Sequence, residues 1–534
     1  MSTKTSGGTT TATAGRETRP PRRGALRRFD MILFSVTAIL LLSQIPITAK
    51  EGPSVLFWTA VILVLFFVPY GLMTAELGST YPDTGGIYSW VKRAFGGFWG
   101  TQVSWWYWVN VGIWLPSVYL MFSTLLGQIF GWQISYWPTV LIAVGLIWLN
   151  CLINVITLDT SKWVTNVAAI ITVTIMLTIG IAGVVYAVRN GSATDWTSTK
   201  MLPSWGTVVL LGVVVYNYLG FELMSSASEE MRDPKRDVPR SILSAGVLIG
   251  ALYLIATVGM LLILPVRGFG RVNGLFKVLD TGIGTSGLAG AFVFLLGIGA
   301  LYCFFAALVP WTIGANRSAA EAARRGDLPP ILGRTSKRFR TPVAAAIATA
   351  LIGTAFTVGW GALVQRYGEG SSVDTLFWNL FAFSTVVFLL SYLVMALAFL
   401  RLRYSDADAV RPYRIPGGMV GAWLSALLVL GFVAAAIVFF VWTPGAPVLE
   451  AGVGLGSQFV VQMGFGLAAV AVIGVLFALR APHWRRVVAS RPDFEHPEAD
   501  ADVELEGLAP DDSSSLHDHE APMEQPRTTS QVPR

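Results

Sequence analysis

Apolar residues in this chain come in long blocks rather than in alternation. The blocks run over 30–49, 54–80, 97–127, 135–157, 163–188, 205–230, 239–265, 286–322, 341–364, 372–402, 418–443 and 458–480. A run of about 20 apolar residues crosses a hydrocarbon layer of roughly 30 Å as a helix. The pattern therefore predicts an all-α polytopic membrane protein with twelve transmembrane helices. Segment 86–96 reads as a short interfacial helix before the third span. Residues 1–28 form a Ser/Thr/Gly-rich, then basic tail, expected to be disordered. Residues 481–534 form an acidic tail with the same expectation.

Two blocks carry a polar break. The first is interrupted by Ser43-Gln44-Ile45-Pro46, and the sixth by Tyr216-Asn217-Tyr218-Leu219-Gly220-Phe221-Glu222. A break strands backbone N–H and C=O groups that hydrocarbon cannot solvate, so it survives only where it lines a cavity or binds something. The second comes five spans after the first, an odd number, so the units that contain them would face oppositely in the membrane. Interrupted segments at matching places in two halves point to a transporter binding site.

Composition agrees with this picture. The 534 residues are 54% hydrophobic and only 13% charged, with mean hydropathy +0.60. A soluble chain would carry about a quarter charged residues. The net charge of +6 does not point to nucleic acid, because the bases flank the spans instead of sharing one soluble face. The N-terminal segment and the loops after even-numbered spans hold most Lys and Arg. The opposite loops hold only Lys50, Arg189, Lys200, Arg267, Arg271, Lys277 and Arg366. By the positive-inside rule both termini are expected in the cytoplasm, in the cell membrane, with the first span acting as an uncleaved signal.

Candidate chemistry is sparse. Cys151 and Cys303 are lone thiols in apolar runs, and no metal cluster or cofactor motif stands out. Gly282-Ile-Gly284-Thr-Ser-Gly287 fits GxGxxG but follows no strand, which rules out a dinucleotide site. All four histidines (His483, His496, His517, His519) fall in the C-terminal tail, so no histidine relay is expected in the membrane. Glu222 is the costliest residue of the sixth span: a central carboxylate costs roughly 3 kcal/mol on insertion scales. Glu222 and Lys162 are the candidates for proton coupling. Glu76 reads as a cytoplasmic anchor. Glu229, Glu230, Arg232 and Arg317, with Arg324, Arg325 and Asp327, are candidates for a cytoplasmic gate.

Four stretches, in order along roughly 30–480, carry a resemblance: ELGSTYPDTGGIYSWVKRAFG, YNYLGFELMSSASEEMRDPKRDVPR, NRSAAEAARRGDLPPIL and RPYRIPGG. They resemble the signatures of the amino acid–polyamine–organocation superfamily, and PWTIGANR and YRIPGG look closest to its bacterial glutamate/GABA-antiporter-like permeases. The resemblance implies a five-plus-five inverted repeat with discontinuous helices 1 and 6 (LeuT-like), plus two C-terminal helices. Repeat one would span about 30–188, repeat two about 205–402, and the added helices about 418–480. It implies that Leu42, Ser43, Gln44 and Ile45 lie at the first unwound site, receiving a substrate carboxylate. Tyr216, Asn217, Tyr218, Leu219 and Gly220 would lie at the second, with Tyr216 and Trp311 as gates. The implied function is exchange of an amino acid, or its decarboxylated amine, by alternating access. A proton-coupled importer is the alternative within transport, and a non-transporting scaffold or receptor is the alternative from another class. An enzyme is not expected. The implied partners are a small-molecule amino acid or amine, protons, and the lipid bilayer.

Overall fold

A computed structural model of the chain describes residues 28–50, 52–83, 85–156, 161–202, 211–223, 234–336, 338–339, 341–367, 372–441 and 457–490. Among the described residues every regular element is a helix, and ten are long and apolar enough to cross a membrane. Those lengths and compositions are those of a multi-pass membrane protein. The expected first and sixth spans are not among the ten. One is interrupted, and the other is described only over 211–223.

The first span divides into α1 (Arg28–Ile39) and α2 (Gln44–Ala49). The non-helical residues are 40–43, so the break falls before the stretch expected at 43–46. Of the expected site residues, Leu42 and Ser43 lie in the break, while Gln44 and Ile45 open α2. The physical reason is Pro46. Its missing N–H is harmless in the first turn of a helix, so the chain resumes its helix around the proline. Helix α3 (Gly52–Thr80) contains a π-helical turn at Leu63–Phe67. The short α4 (Ile87–Phe95) precedes α5 (Gly97–Phe130), and then come α6 (Tyr136–Ile156) and α7 (Ser161–Asn190).

Next are α8 (Leu211–Tyr216), α9 (Pro234–Ile263) and α10 (Gly274–Ile283). The sequence pattern left α10 as loop. Its Leu275, Val278 and Leu279 are buried at helical spacing, and that is the signal that reveals it. The apparent nucleotide motif is its C-terminus: Gly284 has φ 108° and its N–H bonds the Asp280 carbonyl at 3.0 Å. The remaining elements are α11 (Gly287–Ala306), α12 (Leu308–Arg324), α13 (Val343–Tyr367), α14 (Val373–Ser405), α15 (Gly418–Val441) and α16 (Ser457–Ala489). Helix α16 runs past the expected end at 480 and carries His483, which is therefore not in the tail. Residues 1–27 and 491–534 lie outside the described residues.

Helices α5 and α14 are 83% buried over their membrane-length windows, against 17% for α16. The first two are central and the last is peripheral. Polar bonds tie the central helices into two sets. In one, Tyr70 of α3 and Tyr253 of α9 bond the two backbone breaks, and Asn217 donates to Thr48 Oγ1 of α2 at 2.8 Å. In the other, Trp108 of α5 donates to Asn316 of α12 (3.2 Å) and Thr349 of α13 (2.8 Å). There too, Asn150 and Asn154 of α6 join Thr312 of α12 and Tyr119 of α5 at 2.8–2.9 Å. Side-chain hydrogen bonds of this kind hold helices together in lipid, where burial of apolar area gives no drive.

Candidate functional site

At the first break the Ile39 carbonyl has lost its helical donor and the Leu41 N–H its helical acceptor. One hydroxyl serves both. Tyr253 Oη donates to the Ile39 carbonyl at 2.7 Å and accepts from the Leu41 N–H at 2.8 Å. The Ala38 carbonyl is taken by Trp311 Nε1–H at 2.7 Å.

The second break is treated reciprocally. Gly220 sits at φ 115°, a conformation that side chains disfavour. The N–H groups of Gly220 and Phe221 both donate to Tyr70 Oη at 3.2 Å. Tyr70 then donates to Glu222 Oε2 at 2.7 Å. Each break is thus held by a tyrosine from the long helix that follows the other break. A β-carbon on Gly220 would lie 2.9 Å from Trp311 Cζ2, so the indole rests directly on the second break while bonding the first.

Glu222 is buried and accepts two further hydroxyls: Tyr107 of α5 at 3.0 Å and Tyr392 of α14 at 2.6 Å, both on Oε1. Three tyrosine hydroxyls thus converge on its two oxygens, the contacts that compensate a carboxyl group removed from water. No lysine or arginine pairs with it among the described residues. The sequence marked Glu222 but not its tyrosines, which read as ordinary aromatic residues in apolar runs.

Phe388 meets Tyr107 at 5.7 Å and Tyr392 at 4.8 Å, and with three more rings it closes a circuit. Trp114 meets Trp311 at 5.6 Å, Trp311 meets Phe388 at 5.5 Å, Phe388 meets Tyr216 at 6.1 Å, and Tyr216 meets Trp114 at 6.5 Å. All four contacts are edge-to-face, the favoured geometry for aromatic pairs. Tyr216 and Trp311, the expected gates, are therefore brought together. Ser43, Gln44, Ile45, Tyr216, Asn217, Leu219 and Trp311 are all buried, so the region between the breaks is closed to solvent. Ser43 Oγ, Gln44 Oε1, Asn217 Oδ1 and Asn110 Oδ1 are buried polar atoms with no protein partner. Such atoms are costly unless something bonds them.

At the basic end, Glu76 is buried between Arg403, Arg411 (3.5 Å) and the Ile415 N–H (2.8 Å). Asp327 is fully buried and takes Tyr88 (2.7 Å), Lys92 (2.9 Å) and Arg485 of α16 (2.7 Å). Arg325 bonds Asp83 (2.9 Å) and Glu321 (2.8 Å). So Arg325 and Asp327 lock onto the α3–α4 connection, α4 and α16, contacts the sequence did not suggest. Asp406 accepts from Tyr81 (2.9 Å) and pairs with Arg93 (2.9 Å). Burial and then the bond to Asp406 push the Tyr81 hydroxyl up to about 12, and the Tyr81 bond draws Asp406 below its ordinary value. Arg317 is half-buried on α12. Glu229, Glu230, Arg232 and the side chain of Lys162 lie outside the described residues.

A family described as amino acid permease matches residues 26–478. The probable agmatine/putrescine antiporter AguD of Lactococcus lactis is 32% identical over 391 residues, covering 73% of this chain and 82% of that protein. The glutamate/gamma-aminobutyrate antiporter of the same species is 23% identical over 409 residues, covering 74% and 80%. Among solved structures, MhsT in complex with L-phenylalanine aligns with TM-score 0.55 at 15% identity, over 78% of this chain and 99% of that one. The Eremococcus coleocola manganese transporter aligns with TM-score 0.53 at 12% identity, over 89% and 99%. At these identities the structural likeness shows the fold alone.

Proposed function

Because the chain belongs to the amino acid permease family, a family of transporters rather than enzymes, we propose that it exchanges an amino acid or its decarboxylated amine across the cell membrane. The substrate sits between the two breaks, with Tyr216 and Trp311 closing over it. Both termini face the cytoplasm, which makes the end with Glu76 and Asp327 the inner one.

One observation carries this reading. Trp311 bonds the carbonyl freed at the first break and lies against Gly220 at the second, so one side chain monitors both. The polar ties support alternating access as the mechanism. The set formed by α1, α2, α3, the second break at 217–222 and α9 is bonded within itself, and so is the set formed by α5, α6, α12 and α13. Between the breaks and the helices that face them, three side chains reach across: Trp311 to Ala38, and Tyr107 and Tyr392 to Glu222. Rocking one set against the other breaks the Trp311 and Tyr107 bonds and keeps the internal ones, while Tyr392 belongs to α14, outside both sets. Glu222 is in this reading the inner seal, and a carrier of the coupling proton if transport is proton-linked.

Purified protein in liposomes tests the proposal. Uptake of labelled substrate should require unlabelled substrate inside. Uptake driven by a pH gradient into empty liposomes would instead identify a proton-coupled importer. No uptake, with no thermal stabilisation by any amino acid or amine, would identify a scaffold or receptor.

A further inference from the structure

Helix α14 is 83% buried over its membrane-length window, yet one narrow stripe of it is not. Between Thr385 and Leu402 every residue is buried except Leu390, Leu393, Leu397 and Arg401, and Tyr404 continues the series just beyond. Steps of three and four residues put these five side chains on one face of the helix. Leu397 is 46% and Tyr404 60% exposed.

The charged end of the stripe has neighbours from two other elements. Arg401 stands over the ring of Phe95, the last residue of α4, with its guanidinium carbon 5.4 Å from the ring centre. Trp423, near the start of α15, donates to the Tyr404 hydroxyl at 2.9 Å. The stripe is thus the floor of a groove with aromatic residues beside its cation. Arg93, Arg403 and Arg411, at the same end of the molecule, each hold a carboxylate of Asp406 or Glu76. Arg401 is exposed, and among the described residues no carboxylate pairs with it.

From Leu390 to Arg401 the helix rises about 16 Å. That is about half of a hydrocarbon core of roughly 30 Å, the depth of one leaflet. A guanidinium at the end of an apolar strip of that length matches a single lipid, with charge at headgroup level and leucines along the chain.

We propose that this groove binds one anionic phospholipid, with its phosphate on Arg401 and an acyl chain along Leu397, Leu393 and Leu390. An arginine forks onto phosphate oxygens through two parallel N–H bonds. A zwitterionic headgroup carries its own cation beside the phosphate and gains less from Arg401, so the groove selects net negative charge. The bound lipid braces the helix that carries Tyr392 to Glu222 and Arg403 to Glu76. The inference concerns the membrane around the protein and is independent of what the protein carries.

Native mass spectrometry of the full-length protein tests this, with phosphatidylglycerol and phosphatidylcholine added in turn. Wild type should retain one phosphatidylglycerol in preference to phosphatidylcholine. Arg401→Gln should weaken phosphatidylglycerol binding about fivefold, the effect of one basic residue beside anionic lipid, and leave phosphatidylcholine unchanged. Arg401→Lys should keep most of the affinity. Leu397→Trp obstructs the apolar strip with the charge intact, and should also weaken retention. Arg414→Gln removes another exposed arginine at the same end and should bind like wild type. Equal retention of the two lipids by wild type, unchanged phosphatidylglycerol affinity in Arg401→Gln, or an equal loss in Arg414→Gln would overturn the inference. A disulfide-linked dimer of Leu397→Cys would put a second copy of the chain on the groove and overturn it as well.

Discussion

Replacing Tyr253 by phenylalanine removes one oxygen and keeps the ring. In the protein that oxygen donates to the Ile39 carbonyl at 2.7 Å and accepts from the Leu41 N–H at 2.8 Å. Both backbone groups are buried, and the break denies them helical partners. The Leu41 N–H also reaches the Ile39 carbonyl at 3.0 Å, so the loss falls short of two unsatisfied groups and should cost about 1–3 kcal/mol. The reciprocal Tyr70→Phe should cost at least as much, since it strips the Gly220 and Phe221 N–H groups and one donor to Glu222. Thermal unfolding of the purified proteins in detergent measures this. Tyr404→Phe is the control: its hydroxyl is exposed and only accepts from Trp423, so its loss should change little. A midpoint several degrees below wild type is expected for the two buried changes. Wild-type midpoints for both, with normal transport, would refute the claim that these tyrosines hold the breaks.

Other expectations follow from the same geometry. Glu222→Gln offers one acceptor oxygen and an NH2 group to three hydroxyls, so at least one tyrosine loses its partner. Transport should slow about tenfold while the protein still elutes as a folded species on gel filtration. Glu76→Gln leaves Arg403 and Arg411 as buried cations without their anion, which should cost about 3–5 kcal/mol in thermal stability. Asp406 has its carboxyl held below the ordinary value, first by Tyr81 and with help from Arg93. A depressed carboxylate stabilises the fold above its unfolded value and loses that contribution as pH falls through its folded one. The stability gap between wild type and Asp406→Asn should therefore be present above about pH 4 and close below it.

The helical membrane class, ten of the expected spans among the described residues, and the family signatures were legible because each is local. Apolar run length and a contiguous motif each lie in one stretch of chain. What the sequence could not reveal is long-range. Tyr70, Tyr107 and Tyr392 meet on Glu222 from three helices, and nothing in their neighbouring residues separates them from packed aromatics. The same holds for Asp327, whose partners Lys92 and Arg485 are far apart in sequence. The first break lies at 40–43 and not at the expected Ser43–Pro46, because proline is well tolerated in the opening turn of α2. Helix α10 was missed because glycines bound its short apolar face.

The most direct test of the account returns to the two breaks. The half-saturating substrate concentration should be measured in liposomes for wild type, Tyr216→Ala and Trp311→Phe, with membrane insertion checked in parallel. The phenylalanine variant keeps a ring in the circuit but cannot donate to the Ala38 carbonyl. The account predicts that both variants insert normally and bind substrate more weakly. Wild-type affinities in both would mean that the breaks are structural and the substrate is held elsewhere.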